Sequence, residues 1–154
     1  MAGVVFWFET NDKDVWSGRP IDLDAWRYAI KAGGIDKARC INELGWPLTF
    51  DIDFDFEILG NYSSDFLTWL AQPERINENI VLFDTEWTCP EGSIPLSELN
   101  HQEVDWYVFG ASSGIPTDLP IECQHVYLPQ NGTASLHSVH IASAVMLRRW
   151  ESVN

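Results

Sequence analysis

The sequence predicts an α/β domain with a mainly parallel sheet and helices on both of its faces. Three observations carry this. Runs of apolar, β-branched and aromatic residues at 4–8, 79–84 and 106–109 lack polar alternation, as strands buried on both faces require. Between such runs lie segments with helical spacing, opened by acids or serines and closed by glycine or proline. Finally, 154 residues, 45% of them apolar, suffice for one core and are too few for two ordinary domains, so residues 1–154 are read as a single domain.

Residues 4–8, Val-Val-Phe-Trp-Phe, form the first strand, followed by polar turn residues from Glu9 to Pro20. A helix follows. Asp22 or Asp24 caps it, Leu23, Trp26, Ala29 and Ile30 recur on one face, and Gly33-Gly34 stops it. Residues 35–41 return as a strand. From 48 to 59 the pattern alternates strictly, with Phe50, Ile52, Phe54 and Phe56 on one side and Asp51, Asp53, Asp55 and Glu57 on the other. This row of carboxylates reads as the charged face of an exposed edge or hairpin; oxygen ligands suit a hard cation, but no glycine-punctuated loop wraps them. Ser63 or Ser64 caps a short helix ending before Pro73. Residues 79–84 are the next buried strand, 88–93 a loop, and 95–99 a helical turn. Strands at 106–109 and 125–129 and a helical pattern from Ser135 to the C-terminus complete the order.

No apolar run approaches the roughly 20 residues of a membrane span, so no membrane association is expected. The N-terminal run lacks the basic flank of a secretion signal and reads as a strand. Cys40, Cys89 and Cys123 are odd in number and scattered, as for free thiols in a reducing, cytoplasmic setting, and no pair has metal-ligand spacing. Nine Lys and Arg against 23 Asp and Glu leave a formal charge of −14, which opposes sequence-blind binding to nucleic acid. Four tryptophans, Trp7, Trp26, Trp69 and Trp106, fall in core elements. Trp16, Trp46 and Trp87 fall in loops, where an aromatic ring can stack on a base or close a subunit interface.

The chemistry-bearing stretch is residues 105–150. Its two strands run into glycine loops, Gly110-Ala-Ser-Ser-Gly114 and Gln130-Asn-Gly-Thr133, and so place exposed backbone N–H groups at neighbouring strand ends. The first loop lacks the lysine of a phosphate-binding P-loop and lies too late in the chain for a dinucleotide fingerprint. Ser112, Ser113 and Ser135 are candidate nucleophiles with His125, His137 or His140 as base. None of these serines sits in a Gly-x-Ser-x-Gly elbow. His137 and His140 share a helix face, but spacing marks no third metal ligand, so no metal is expected.

Tyr107-Val-Phe-Gly110 with Gly114-Ile-Pro116, then Leu128-Pro129, then Ser135-Leu136-His137 opening the last helix, resemble the three C-terminal motifs of SPOUT-superfamily RNA methyltransferases of the SpoU/TrmH class. The resemblance is strongest to the short, single-domain tRNA ribose 2′-O-methyltransferases acting at the wobble position. Arg27-Tyr-Ala-Ile-Lys-Ala-Gly33 is similar to that family's first motif, and the match extends loosely over most of the chain. It implies an α/β knot, with a C-terminal trefoil, and a homodimer. It also implies S-adenosylmethionine as cofactor and RNA, tRNA or rRNA, as substrate. By position, Phe109, Gly110, Gly114, Ile115, Leu128, Ser135 and Leu136 would contact the cofactor. Arg27 and Ser135 would be catalytic, Arg27 activating or positioning the ribose hydroxyl.

The chain departs from the family pattern at Ala111-Ser-Ser113, where a Glu is usual, and at His137, where an Asn is usual. Backbone contacts tolerate such changes better than catalysis does. One alternative is therefore a degenerate knot-fold protein that binds the cofactor or a protein partner without methyl transfer. Another is a flavodoxin-like domain in which residues 110–114 cradle a phosphate or nucleotide.

Overall fold

The computed structural model describes residues 2–9, 23–86, 88–111, 114–129 and 138–154. Seven strands form one sheet: β1 (Gly3–Phe8), β2 (Lys37–Asn42), β3 (Asp55–Gly60), β4 (Ile80–Thr85), β5 (Ile94–Pro95), β6 (Trp106–Phe109) and β7 (Gln124–Leu128). Their order is β3-β2-β1-β6-β4-β7-β5, and every pairing is parallel. Helices α1 (Leu23–Ala32), α2 (Ser63–Leu70) and α3 (Ser138–Val153) cover it. The expectation of a parallel sheet with helices on both faces holds.

Alternation along the central strands splits the core in two. Val4, Phe6, Tyr107, Phe109, Val81 and Phe83 face α1 and α3, where Trp26, Ile30, Val145 and Met146 meet them. Val5, Trp7, Ile80, Leu82, Trp106 and Val108 face α2, packing on Phe66, Trp69 and Leu70. All six residues of β1 and all four of β6 are buried, so these strands carry no polar alternation. Trp7, Trp26, Trp69 and Trp106 are core residues, as expected, while Trp46 is half exposed. The buried Trp7 indole N–H donates to Ser63 Oγ at 3.1 Å, which satisfies the one polar atom that ring carries. Burial holds the Cys40 thiol protonated, its pKa pushed up to about 12, and likewise Cys123, to about 11.

Several sequence expectations need correction. The alternating run at 48–59 is a strand only over β3. At 51–54 the chain turns, with Phe54 N–H bonded to Asp51 C=O at 2.9 Å. The turn folds Phe50 back to stack on Phe56, with ring centroids 4.3 Å apart, and throws Ile52 fully into solvent. The carboxylates also part company. Asp51 pairs with Lys31 on α1, while Asp55 and Glu57 pair with Arg39 on β2. What survives is the edge: β3 is an outer strand with charge along it. No group of acids, histidines and cysteines among the described residues is arranged to hold a metal.

Neither Ser63 nor Ser64 caps α2. Tyr62 occupies the cap position, and Asp65 Oδ2 accepts its N–H at 2.9 Å. Residues 94–95 pair with β7 as an outer strand, which composition alone does not reveal in so short a piece. Short 3₁₀ turns occupy Pro73–Asn77, Leu96–Glu98 and His101–Glu103. The stop at the end of α1 is as expected: Gly34 takes φ 75°, open to glycine at little cost. No helix among the described residues is long and apolar enough to cross a membrane.

One buried polar cluster ties α3 to the sheet. His101 Nδ1 lies 2.9 Å from the Tyr107 hydroxyl, and the Arg149 guanidinium sits 5.9 Å from the Tyr107 ring centre while donating to Gly33 C=O. Burial, and secondarily the Arg149 charge, lowers the His101 pKa; burial raises that of Tyr107. His101 is thus neutral when folded but takes up a proton more readily once unfolded. Stability is therefore present above the free histidine range and lost as pH falls through it toward the lowered folded value. Urea midpoints measured at about pH 7.5 and about pH 5.5 should show this loss, and His101→Gln should shrink the difference.

Candidate functional site

All strands of the sheet run the same way, so their C-terminal ends gather at one pole. A parallel α/β sheet places its ligand there, in loops beyond strand ends where the connections diverge. β4, β6 and β7 lie side by side and end at Thr85, Phe109 and Leu128, with Thr85 paired to Leu128 and Phe83 to Phe109.

After β6 the described residues 110, 111, 114 and 115 stand at this pole. Ala111 and Gly114 form an isolated antiparallel bridge, with Gly114 N–H bonded to Ala111 C=O at 2.8 Å. This turn needs glycine at both ends. Gly114 has φ 97°, and a Cβ there would point into open space. A Cβ on Gly110 would come within 2.5 Å of Ile115 Cγ1, so Ile115 can fold over the loop only because Gly110 has no side chain. The loop is also tied to the closing helix, because Ser138 Oγ donates to Gly110 C=O at 2.6 Å. That tie was not foreseen from sequence; a hydroxyl in the first turn of the closing helix is its only signal there.

The candidate residues divide as follows. Gly110, Gly114, Ile115 and Leu128 do gather at the pole, where Leu128 ends β7 and packs partly against the α1/α3 core. Phe109 ends β6, but its ring is 1% exposed and stacks on Phe83 at 4.9 Å, so only its backbone can meet a ligand. Ser112, Ser113, Trp16, Trp87, Ser135, Leu136 and His137 lie outside the described residues. His140 is exposed on α3. His125 Nδ1 lies 3.3 Å from Asp84 Oδ2, a partly buried pair joining β7 to β4.

Arg27 is on the second turn of α1. It pairs with Asp24 and more distantly with Asp51, its Nε 3.8 Å from Asp51 Oδ1. Nη2 donates to Thr49 C=O at 2.7 Å, and the guanidinium lies 5.1 Å from the Phe50 ring centre. These contacts belong to α1 and residues 49–51, so the guanidinium is held by that loop. Its neighbour Trp26 faces the other way, stacked on Phe6 at 4.7 Å and 6.1 Å from Phe109. Helix α1 therefore rests on the strand that leads into Gly110.

No family model matches the sequence, and no curated protein is significantly similar to it. Solved structures do match in fold. One, described by 2-OH methylation of C/U34 on tRNA, is 17% identical over 99% of this chain and 96% of its own, with TM-score 0.59. The SpoU methyltransferase AviRb from Streptomyces viridochromogenes, solved with the cofactor AdoMet, is 12% identical with TM-score 0.64. The alignment spans 98% of this chain and 60% of that one. The TrmH/SpoU tRNA modifying enzyme of A. aeolicus is 14% identical with TM-score 0.62, over 97% of this chain and 74% of its own. The chain has the fold of SpoU/TrmH-class RNA methyltransferases, in agreement with the motifs in its last third.

Gly110→Ala should displace Ile115 and cost about 1–3 kcal/mol in urea unfolding, as overpacking does. Pairing it with Ile115→Ala should return part of that loss; equal stability of Gly110→Ala and the parent would contradict the close contact.

Proposed function

We propose that this chain binds S-adenosylmethionine in the loops beyond β4, β6 and β7 and methylates RNA at a ribose 2′-hydroxyl. The observation carrying this is the Gly110–Ile115 turn on a sheet with the SpoU/TrmH fold, one of whose solved examples holds AdoMet. The turn fits such a group. Gly114 leaves open space beside the backbone, where a polar ligand can approach main-chain groups directly. Gly110, Gly114, Ile115, Leu128 and the backbone of Phe109 would hold the cofactor, together with Ser135 and Leu136. The bound cofactor supplies an electrophilic methyl on a sulfonium. Glu9 at the end of β1 and Asp84 near the end of β4 place carboxylates at the same pole, where they favour a cation.

Transfer to a ribose needs the hydroxyl oriented and relieved of its proton. Arg27 is the residue of this chain proposed to position that hydroxyl and stabilise its developing negative charge. To do so its guanidinium must share itself between Asp24, Asp51 and the substrate. Its pairing with Asp24 favours a second reading, a cofactor-binding protein of this fold that does not transfer methyl groups.

In the methyltransferase reading the chain acts as one unit with the trefoil knot of its class. It works as a homodimer in the cytoplasm, where Cys40, Cys89 and Cys123 stay reduced. Tyr28, Leu147 and Trp150, exposed on the adjoining helices α1 and α3, are the apolar groups such a dimer would cover.

Calorimetric titration with S-adenosylmethionine should give saturable binding below millimolar ligand, and labelled methyl should appear as 2′-O-methylated nucleoside in unmodified tRNA or rRNA. Arg27→Ala should leave cofactor affinity unchanged and slow transfer at least about a hundredfold. Absence of cofactor binding would overturn the proposal. Binding without transfer to any RNA offered would establish the second reading.

A further inference from the structure

Where β2 and β3 end, at the same pole as the proposed cofactor loops, two turns carry exposed aromatic rings and an acid. We propose that this surface, formed by Glu43, Trp46 and Tyr62, docks an arginine-bearing segment of a basic partner protein. The partner's task, bringing cations to the RNA, rests on the methyltransferase reading; the surface itself does not.

Hydrogen bonds fix what these turns present. The Glu43 N–H donates to Phe8 C=O at 3.1 Å, which seats the turn after β2 on the end of β1, the neighbour of β6. The buried Asn42 side chain donates to Trp46 C=O at 2.7 Å and accepts the Gly45 N–H at 3.1 Å, with Gly45 at φ 68°. Asn61 Nδ2 donates to Asn42 C=O at 3.2 Å, joining the turn after β2 to the one after β3. Ser63, which takes the Trp7 indole N–H, donates in turn to Glu43 Oε1 at 3.5 Å. The residue next to Tyr62 thus holds the acid of the other turn. Outward, Trp46 is 49% exposed and Tyr62 73%. Among the described residues no ring or guanidinium packs on either.

The charges name the occupant. All nine basic residues of the chain except Lys13 and Arg19 are described, and each of those described is engaged inside the chain. Arg27, Lys31, Arg39, Arg75 and Arg148 pair with acids, Lys37 lies over the Trp106 ring, and Arg149 donates to Gly33 C=O. A phosphate would compete with an internal acid for most of them, against a net charge of −14. Cations that hold RNA firmly are therefore best supplied by another chain. Acids, by contrast, are in surplus, and no basic residue among those described pairs with Glu43.

Arginine suits open aromatic rings near a carboxylate. Its flat guanidinium stacks on a ring face, its N–H fork meets the acid, and it gives up water more readily than an ammonium does. An unpaired base could stack on the same rings, but its phosphates would meet Glu43 and the acidic chain behind it. The partner is therefore basic.

The test is a titration of the full chain with an oligo-arginine peptide at about 0.15 M salt, following the tryptophan indole N–H signals by NMR. The Trp46 signal should shift saturably, with Trp7 and Trp26 unmoved. Trp46→Ala, which leaves the net charge unchanged, and Glu43→Gln should each weaken binding about fivefold. Glu103→Gln makes the same charge change at the opposite pole and should weaken it by less than about twofold. Oligo-lysine of equal length should bind about threefold more weakly than oligo-arginine. No shift at Trp46, full affinity in Trp46→Ala, or equal affinity for oligo-lysine would each overturn the proposal. So would equal losses from Glu43→Gln and Glu103→Gln, which a diffuse acidic field alone would produce. Unmodified tRNA shifting the Trp46 signal would give the surface to RNA and overturn it as well. Unmoved Trp7 and Trp26 signals in the variants report that they are folded. Titration of the same samples with S-adenosylmethionine separates the two readings. Cofactor binding without a peptide shift at Trp46 removes the docking surface alone, whereas a peptide shift without cofactor binding removes the methyltransferase reading.

Discussion

The contact on which the rest of this structure depends is the Trp26 ring against Phe6 and Phe109. A parallel sheet buried on both faces is stable only if something apolar covers each face. Trp26 is that cover at the centre of the sheet, over the two strands whose every residue is buried. Burying a ring of that size contributes on the order of 3–5 kcal/mol, judged by what its truncation costs in cores. It also fixes geometry. With Trp26 turned inward, Arg27 must turn toward residues 49–51, and with Phe109 packed beneath, the chain leaves the sheet at Gly110.

The loop at 110–115 then follows from small numbers of atoms. Gly110 has no Cβ, so Ile115 closes over it; Gly114 takes a backbone angle that side chains resist; Ser138 fastens the turn to α3. Because α3 is in turn held at its far end by Arg149 on Tyr107 and Gly33, the loop is anchored through one helix to the opposite end of the same strand.

Legibility in the sequence tracked the strength of the periodic signal. β1, β4 and β6 are continuous apolar runs and could be read directly, as could the glycine stop of α1 and the four core tryptophans. The run at 48–59 misled because alternation records which residues are apolar, and a turn that stacks Phe50 on Phe56 satisfies the same letters as a straight strand. Tyr62 takes the cap of α2 because its own N–H donates to the Asp65 carboxylate three residues on while its carbonyl accepts the Asp65 N–H. β5 is two residues long, too short for any periodicity. At the pole, the glycines and Ile115 were legible through motif order. The Ser138 tie and the Asp84–His125 pair were not, since both join residues distant in sequence that only pairing of strands and docking of α3 bring together. Arg27 was legible as a position, but its capture by Asp51 and Thr49 depends on where the 49–54 turn falls.

The central claim is that the loops beyond β4, β6 and β7 form a cofactor site. Amide hydrogen exchange with and without S-adenosylmethionine tests it most directly, because it reports where on the chain the ligand acts. The account predicts slowed exchange at residues 109–115 and 126–138, with residues 55–75 unchanged. Slowed exchange confined to the α2–β3 side, or no change anywhere at saturating ligand, would contradict it.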